Sequence, residues 1–335
     1  MTSTNQTNQP TISVIICTYN RSAMLKEAID SVLAQSYPYK EIIVLDGNSP
    51  DNTPEMMQQY ASNPSVIYLR DKEDKGPQYY QKEGLRLAQG KYVVFMDDDD
   101  YYTDSDFFQK AVAVHNEQHP DKLAFVSANV QKYNVVTDEM LPFSPINVHG
   151  YIDGTYYLKN FQGKCNKPIS VFSTVFEREA LLNADILSLN FFIDACIYMR
   201  SLLSGSAFVL SDIIGVYRIH SSNLSIRQTV DFTISGLQEK RRIYTIIKNN
   251  ELFVESDEWW YNIVKNSFGY YVLFTNPNIQ EFNEVKNWCM AVSKYNKKIH
   301  SLLTMLTLLL YCEKIPGVHR LLTSNKIMKI IRKQK

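Results

Sequence analysis

Lys91-Tyr92-Val93-Val94-Phe95-Met96-Asp97-Asp98-Asp99-Asp100-Tyr101-Tyr102 runs through apolar and β-branched residues and then stops in four consecutive carboxylates. The apolar part reads as a strand buried on both faces. Adjacent like charges repel, so the acidic part costs free energy unless a cation or hydrogen-bond donors compensate. Open α/β sheets build their ligand sites at the carboxyl ends of such strands. The plain alternative is a solvated acidic turn, which most charge runs are. The buried strand ahead of the acids favours a metal or nucleotide site.

Upstream, Ile12 to Cys17 is a first β-branched strand that opens into Thr18-Tyr19-Asn20-Arg21. A helix with Leu25, Ile29, Val32 and Leu33 at helical spacing follows, and Tyr37-Pro38 ends it. A second strand, Glu41 to Leu45, closes on the turn-forming cluster Asp46-Gly47-Asn48-Ser49-Pro50-Asp51-Asn52-Thr53. Pro54 sits at the first position of a helix that runs to about Tyr60. Val66 to Leu69 is a third strand entering the charged loop Arg70 to Gly76, and Tyr79 to Ala88 is a helix ended by Gly90. This alternation predicts a parallel sheet with helices on both faces and right-handed crossovers. The loops after the strands then converge on one rim.

Downstream, the pattern predicts a helix (Phe107 to Glu117), a strand (Leu123 to Val130) and an irregular section to about Lys167. Phe176 to Asn183 and Ala195 to Leu203 read as helices, and Ile213 to Tyr217 as a last strand leading to Arg218-Ile219-His220. From Thr229 the pattern is helical only: Phe232 to Lys248, Trp259 to Leu273, Ile279 to Tyr295 and Ile299 to Tyr311. The expected organisation is a frayed polar tail (1–10), an α/β domain (11–228) and a helical region (229–335).

With 45% hydrophobic and 21% charged residues the composition is that of an ordinary globular chain. Formal net charge is zero, which gives no global basic field for nucleic acid. The five cysteines are widely spaced with no CxxC pair, against a disulfide scaffold or zinc site and for a reducing compartment. Met1 to Pro10 lacks the apolar segment of a signal peptide. Leu302 to Cys312 is too short for a bilayer span, which needs about 20 apolar residues. These features predict a cytoplasmic protein. Lys297, Lys298 and His300 precede that apolar stretch, and one acid against seven bases follows from Glu313 to Lys335. Such a pattern suits a helix lying in the interface of an anionic bilayer. Packing on the α/β domain or on a second subunit is the equal alternative.

The rim lacks GxxxxGK[ST] and GxGxxG, which disfavours P-loop ATPases and dinucleotide-binding dehydrogenases. It offers carboxylates instead, hard oxygen ligands suited to Mg²⁺ or Mn²⁺ held together with substrate phosphates.

Thr18-Tyr19-Asn20-Arg21, Asp46 to Thr53, Glu73-Asp74-Lys75-Gly76, Gly84, Ala88-Gln89-Gly90 and Phe95-Met96-Asp97-Asp98-Asp99 occur in an order and spacing that resembles family 2 glycosyltransferases. These have the GT-A fold, a Rossmann-like, mostly parallel sheet, and build bacterial lipopolysaccharide and exopolysaccharide. The resemblance covers about Pro10 to Ser225 and not the C-terminal helices. It implies a nucleotide-diphosphate sugar donor, a glycan or lipid-linked acceptor, and a Mg²⁺ or Mn²⁺ ion. Asp97-Asp98-Asp99 matches the family's DxD, so Asp99 is implied as the metal ligand with Asp97 and Asp98 near ribose and metal. Asp46 matches the acid that contacts the base, and its alternative is a turn residue bonding its own backbone. Thr18, Tyr19, Asn20 and Arg21 would line the nucleotide, with Asn48 beside them; Asn20 or Ser22 could equally cap the first helix.

Asp74 and Gly76 lie in a loop similar to the segment over the nucleotide. Lys82 stands where many relatives carry Asn; it reaches a phosphate or is a solvated helix residue. Relatives often carry Glu-Asp ahead of a helix, and here Ile193-Asp194 matches, with isoleucine in place of the glutamate. Asp194 is the implied general base, or only an N-cap. Tyr217-Arg218-Ile219-His220 resembles YRxH; Arg218 would close over the diphosphate and His220 would ligate the metal or be structural. The reading is a metal-dependent, inverting glycosyltransferase. The alternatives are a sugar-nucleotide pyrophosphorylase, disfavoured by the absence of a glycine-rich basic loop after the first strand, and a nucleotide-sugar-binding module without turnover.

Overall fold

Strands β1 (Ile12–Thr18), β2 (Lys40–Asp46) and β4 (Tyr92–Asp97) are the ones the sequence marks as apolar throughout, and in the computed structural model they lie side by side in parallel. The structure describes residues 12–220, 229–275 and 277–313. Around those strands the elements run α1 (Ser22–Leu33), α2 (Thr53–Met57), β3 (Val66–Arg70), α3 (Pro77–Leu87), β5 (Tyr101–Tyr102) and α4 (Phe107–Asn116). They continue with β6 (Leu123–Asn134), β7 (Glu139–Met140), β8 (Gly150–Ile152), α5 (Gly154–Asn160), β9 (Thr174–Glu177), α6 (Arg178–Asn183), α7 (Asp194–Ser201) and β10 (Ser206–Ile219).

The sheet order is β3-β2-β1-β4-β9-β6-β10-β5, with β7 beside β6 and β8 beside β10. Two features depart from the sequence reading. Thr174 to Glu177 is a strand, antiparallel to both β4 and β6, where a helix was expected from Phe176. Its four residues are all buried, so it carries no helical stripe of exposed positions that periodicity could have used. The last strand is also longer than expected, from Ser206 to Ile219, because register shifts let it bend along β6. The sheet is therefore mixed, parallel across β3-β2-β1-β4 and antiparallel around β9.

Glycine is required where α3 crosses the sheet. A Cβ on Gly84 would sit 2.3 Å from Ile15 Cγ2 and 3.0 Å from Leu45 Cδ1. Gly84→Ala should overpack this contact and destabilise the chain by about 1–3 kcal/mol. Thermal unfolding reads that directly; an unchanged midpoint would mean that α3 can move off the sheet without cost.

The described chain divides into two compact units. One comprises residues to Leu158 together with Lys167–His220, and the other comprises Lys159–Asn166 with the residues after His220. Segment 159–166 falls in the α/β range of the sequence reading, but Asn266 Nδ2 donates to Gln162 O at 3.2 Å and Lys159 Nζ pairs with Glu255 at 2.8 Å. The helical unit holds α8 (Val230–Asn249), α9 (Ser256–Thr275), α10 (Ile279–Val292) and α11 (Lys297–Glu313). Trp260, Phe268, Tyr271, Phe282 and Val285 fill its core, and Trp260 Nε1 donates to Ser293 Oγ at 2.9 Å. Asn278 and Glu281 form a capping box that starts α10. Ile299, Leu303 and Leu306 of α11 are buried, and the helix packs on α9 and α10. These three side chains are thus already covered within the unit. The basic segment 314–335, the tail 1–10 and Ser221 to Gln228 lie outside the described residues. Among the described residues no helix is long and apolar enough to cross a membrane.

Candidate functional site

Four acids in a row cannot all face one way, and the turn after β4 sorts them. Asp100 N donates to Asp97 O at 3.3 Å, and Tyr101 and Tyr102 then pair with Gly215 and Val216 of β10. The pairing is close: a Cβ on Gly215 would lie 2.5 Å from Tyr101 O. Asp98 turns toward β1, where its carboxylate accepts from Thr18 Oγ1 at 2.7 Å and Arg21 Nη1 at 2.8 Å. Asp97, Asp99 and Asp100 each offer an oxygen within 4.8 Å of those of the other two.

The three share a strong mutual field. Burial pushes the Asp97 carboxyl well above the usual carboxylate range, and the charges of Asp99, Asp194 and Asp98 add to it. Burial likewise raises Asp100, with Asp99 and Asp97 adding and the hydrogen bonds from Arg218 N and Ser170 Oγ opposing. Asp98 is pushed up to about 6 by burial, with Arg21 opposing. Buried oxygens held this close are destabilised by their own repulsion, and a divalent cation would relieve it. A hard, all-oxygen set of this kind fits Mg²⁺ or Mn²⁺.

Cations surround the turn. Arg21 Nη1 also donates to Asp99 Oδ2 at 2.8 Å, and His220 Nε2 hydrogen-bonds the same oxygen at 2.8 Å. Arg218 Nη1 donates to Asp99 O at 2.9 Å, its guanidinium lies 4.4 Å from the Tyr101 ring centroid, and Nη2 pairs with Glu27. The structure therefore gathers Thr18, Arg21, Asp97, Asp98, Asp99, Arg218 and His220 at one strand end. His220 is not among these three carboxylates and contacts one of them, Asp99.

Neighbouring loops complete the rim. Asn20 and Asn48 both adopt left-handed backbone, with φ of 57° and 65°. Asn20 N donates to Ser49 Oγ at 2.9 Å, and Asn48 Nδ2 to Lys72 O at 3.0 Å. Neither Asn20 nor Ser22 caps α1 with its side chain. Asp51 does so from the next loop, accepting from Ser22 N at 2.9 Å. The Asp46 carboxylate is fully buried and accepts from Ser49 N at 2.7 Å and Tyr68 Oη at 2.5 Å, so here it ties its own turn. Tyr19 is exposed beside Thr18. Asp74 accepts from Gly76 N at 2.8 Å, where φ is 81°. Asp74 also closes over Gly47, where any Cβ would lie 2.7 Å from Asp74 Oδ1.

Aromatic packing links β4 to the segment ahead of α7. Phe95, two residues before Asp97, meets Phe192, two before Asp194, edge to face at 5.4 Å. Tyr198 of α7 packs on Phe125 and Phe176, and its hydroxyl donates to Ser170 O at 3.2 Å. From α3, Gln78 Oε1 accepts from Phe192 N at 3.2 Å, and Lys82 Nζ donates to Leu189 O. Lys82 thus braces the segment ahead of α7. Asp194 is the first residue of α7, directly after Ile193 at the N-cap. Its carboxylate is 40% exposed and lies 3.7 Å from Lys167 Nζ. Burial pushes the Lys167 ammonium down, and Asp194 partly offsets this.

Sequence reasoning assigned no role to Asp100, Lys167, Ser170 or Gln78. For Asp100 a signal existed, as the fourth acid of the run. The others act through contacts that only the fold creates.

Residues 13–183 match the family described as glycosyl transferase family 2. The putative teichuronic acid biosynthesis glycosyltransferase TuaG of Bacillus subtilis is 38% identical over 95 residues, which is 28% of this chain and 37% of that protein. The GalNAc(5)-diNAcBac-PP-undecaprenol beta-1,3-glucosyltransferase of Campylobacter jejuni is 39% identical over 93 residues, 27% of this chain and 30% of that protein. The chain thus spans about a third of the length of these curated relatives. The crystal structure of S. aureus TarS 1–349 in complex with UDP superposes with a TM-score of 0.68 at 19% identity, covering 89% of this chain and 87% of that one. At that identity the likeness shows the fold, and the GT-A-like architecture expected from the sequence is the one found. With the family match running from β1 through the acidic turn to α6, over more than half of its length, the chain belongs to glycosyl transferase family 2.

Proposed function

We propose that the chain transfers a sugar from a nucleotide-diphosphate sugar to a hydroxyl of a glycan or lipid-linked acceptor, with inversion at the anomeric carbon, in cell-surface polysaccharide synthesis. The observation that carries this is the convergence of Asp97, Asp99 and Asp100 on one point at a strand end, framed by Arg21 and Arg218. The relatives' names support the substrate class, one naming teichuronic acid and the other an undecaprenol diphosphate. Acceptors of the latter kind would bring the enzyme to a membrane surface.

Asp97, Asp99 and Asp100 would hold a divalent cation, which when bound supplies positive charge against the leaving diphosphate. Thr18 to Arg21, Asn48 and the Asp74–Gly76 loop would frame the space for the nucleotide, and Arg218, held at Asp99 O, would close over the diphosphate. Asp194 accepts the proton of the acceptor hydroxyl, whose oxygen bonds to the anomeric carbon as the bond to the diphosphate breaks. The leaving nucleoside diphosphate takes the electron pair. Phe192 against Phe95 fixes the distance between base and acids, the kind of positioning that such a displacement needs.

Lys167 Nζ lies 3.7 Å from the proposed base and would help to position its carboxylate. Lys167→Met should lower kcat several-fold with donor affinity nearly unchanged. Lys167→Arg should restore kcat; an unchanged kcat in the Met variant would mean that Lys167 does not position the base. The function itself is tested by incubating the chain with a panel of nucleotide sugars and Mn²⁺ and following release of the nucleoside diphosphate. Release from one donor, accelerated by acceptor glycan, supports the reading, whereas bound donor that is never turned over would leave a binding module.

A further inference from the structure

The turn between α10 and α11 forms a cavity of about 720 Å³ with α8 and α9. Five cations line it against two carboxylates, Asp257 and Glu258. Both carboxylates are already paired, Asp257 with Lys248 at 3.0 Å and Glu258 with Lys298. Arg241, Lys294 and Lys297 form no ion pair among the described residues, so the cavity keeps an excess of positive charge. Arg241 lies 4.5 Å from the Tyr244 ring centroid and 5.3 Å from that of Trp260, which fixes its guanidinium on a rigid aromatic floor. Beside it Tyr295 is 88% exposed, a large ring that nothing in the helical core uses.

From this cavity we infer a second carbohydrate site, specific for an anionic glycan segment, and the inference rests on the glycan-acceptor reading above. A sugar ring stacks its C–H face on Tyr295, and the phosphate or carboxylate it carries meets Arg241, Lys294 and Lys297. The volume suits a few sugar residues. A lipid surface is the less suitable partner: the site is concave, and the apolar face of α11 beside it, Ile299, Leu303 and Leu306, is turned into the core. The site would hold a growing anionic chain while its end is extended.

The test titrates the full chain calorimetrically with oligogalacturonate, with poly(glycerol phosphate) and with neutral dextran. At least one of the two anionic polymers should bind, and which one does identifies carboxylate or phosphodiester as the anion; dextran should not bind. Lys294→Gln/Lys297→Gln should weaken that binding by on the order of tenfold and remove most of its salt dependence. Tyr295→Ala, a fully surface change, should weaken it comparably. Release of nucleoside diphosphate from the donor without acceptor should be unchanged in both variants. The inference is overturned if neither polymer binds, if both variants bind like the wild type, or if only anionic vesicles are captured. Glycan binding by a wild-type chain that turns over no donor would count against the catalytic reading alone.

Discussion

Asp99→Ala should reduce turnover by at least about 10³-fold while leaving the fold intact. Asp99 stands at the centre of the charge network: its carboxylate belongs to the three-oxygen cluster and also accepts from Arg21 and His220. Removing it deletes one of three proposed metal ligands, so donor binding should lose its dependence on Mn²⁺. Stability should hold or rise slightly. Arg21 retains Asp98, and the repulsion that raises Asp97 and Asp100 is relieved. A variant that unfolds would show instead that Asp99 organises the turn, and full activity of the wild type in EDTA would remove the metal from the account.

Asp194→Asn keeps nearly the same volume at the first position of α7 and deletes basicity. It should cost at least about 10²-fold in kcat with donor affinity nearly unchanged. Asn at this helix-start position keeps the shape and hydrogen-bonding reach of the side chain, so the substitution isolates the charge. The pair with Lys167, at 3.7 Å and 40% exposure of the acid, is too long and too wet to contribute much to stability. Near-normal kcat in Asp194→Asn would assign the base elsewhere and leave Ile193-Asp194 as a misleading match.

The half of the sheet built on β1 to β4 was legible because each of its strands is a largely apolar run ending in a polar turn. Ile12 to Thr18 and Tyr92 to Asp97 need no tertiary information to be recognised. Thr174 to Glu177 was not legible: four buried residues after an irregular section carry no period, and only the gap between β4 and β6 makes them a strand. Among site residues, the acidic run pointed to its own importance but not to its internal division. That division depends on where β10 pins Tyr101, which sends Asp98 to Thr18 and Arg21, and Asp100 to Ser170. Asp46 shows the opposite limit. Its identity fits a base-contacting acid, yet its oxygens are engaged by Ser49 and Tyr68. Lys82 likewise holds Leu189 O, a contact 107 residues away in sequence that no local pattern encodes.

The central claim is that a nucleoside diphosphate binds at the acidic turn through a divalent cation. Isothermal titration of the full chain with UDP and GDP, each with Mn²⁺ and in EDTA, tests it most directly, with Asp99→Ala run alongside. One nucleotide should bind with Mn²⁺, and this binding should be lost both in EDTA and in Asp99→Ala. Equal affinity under all three conditions would contradict it.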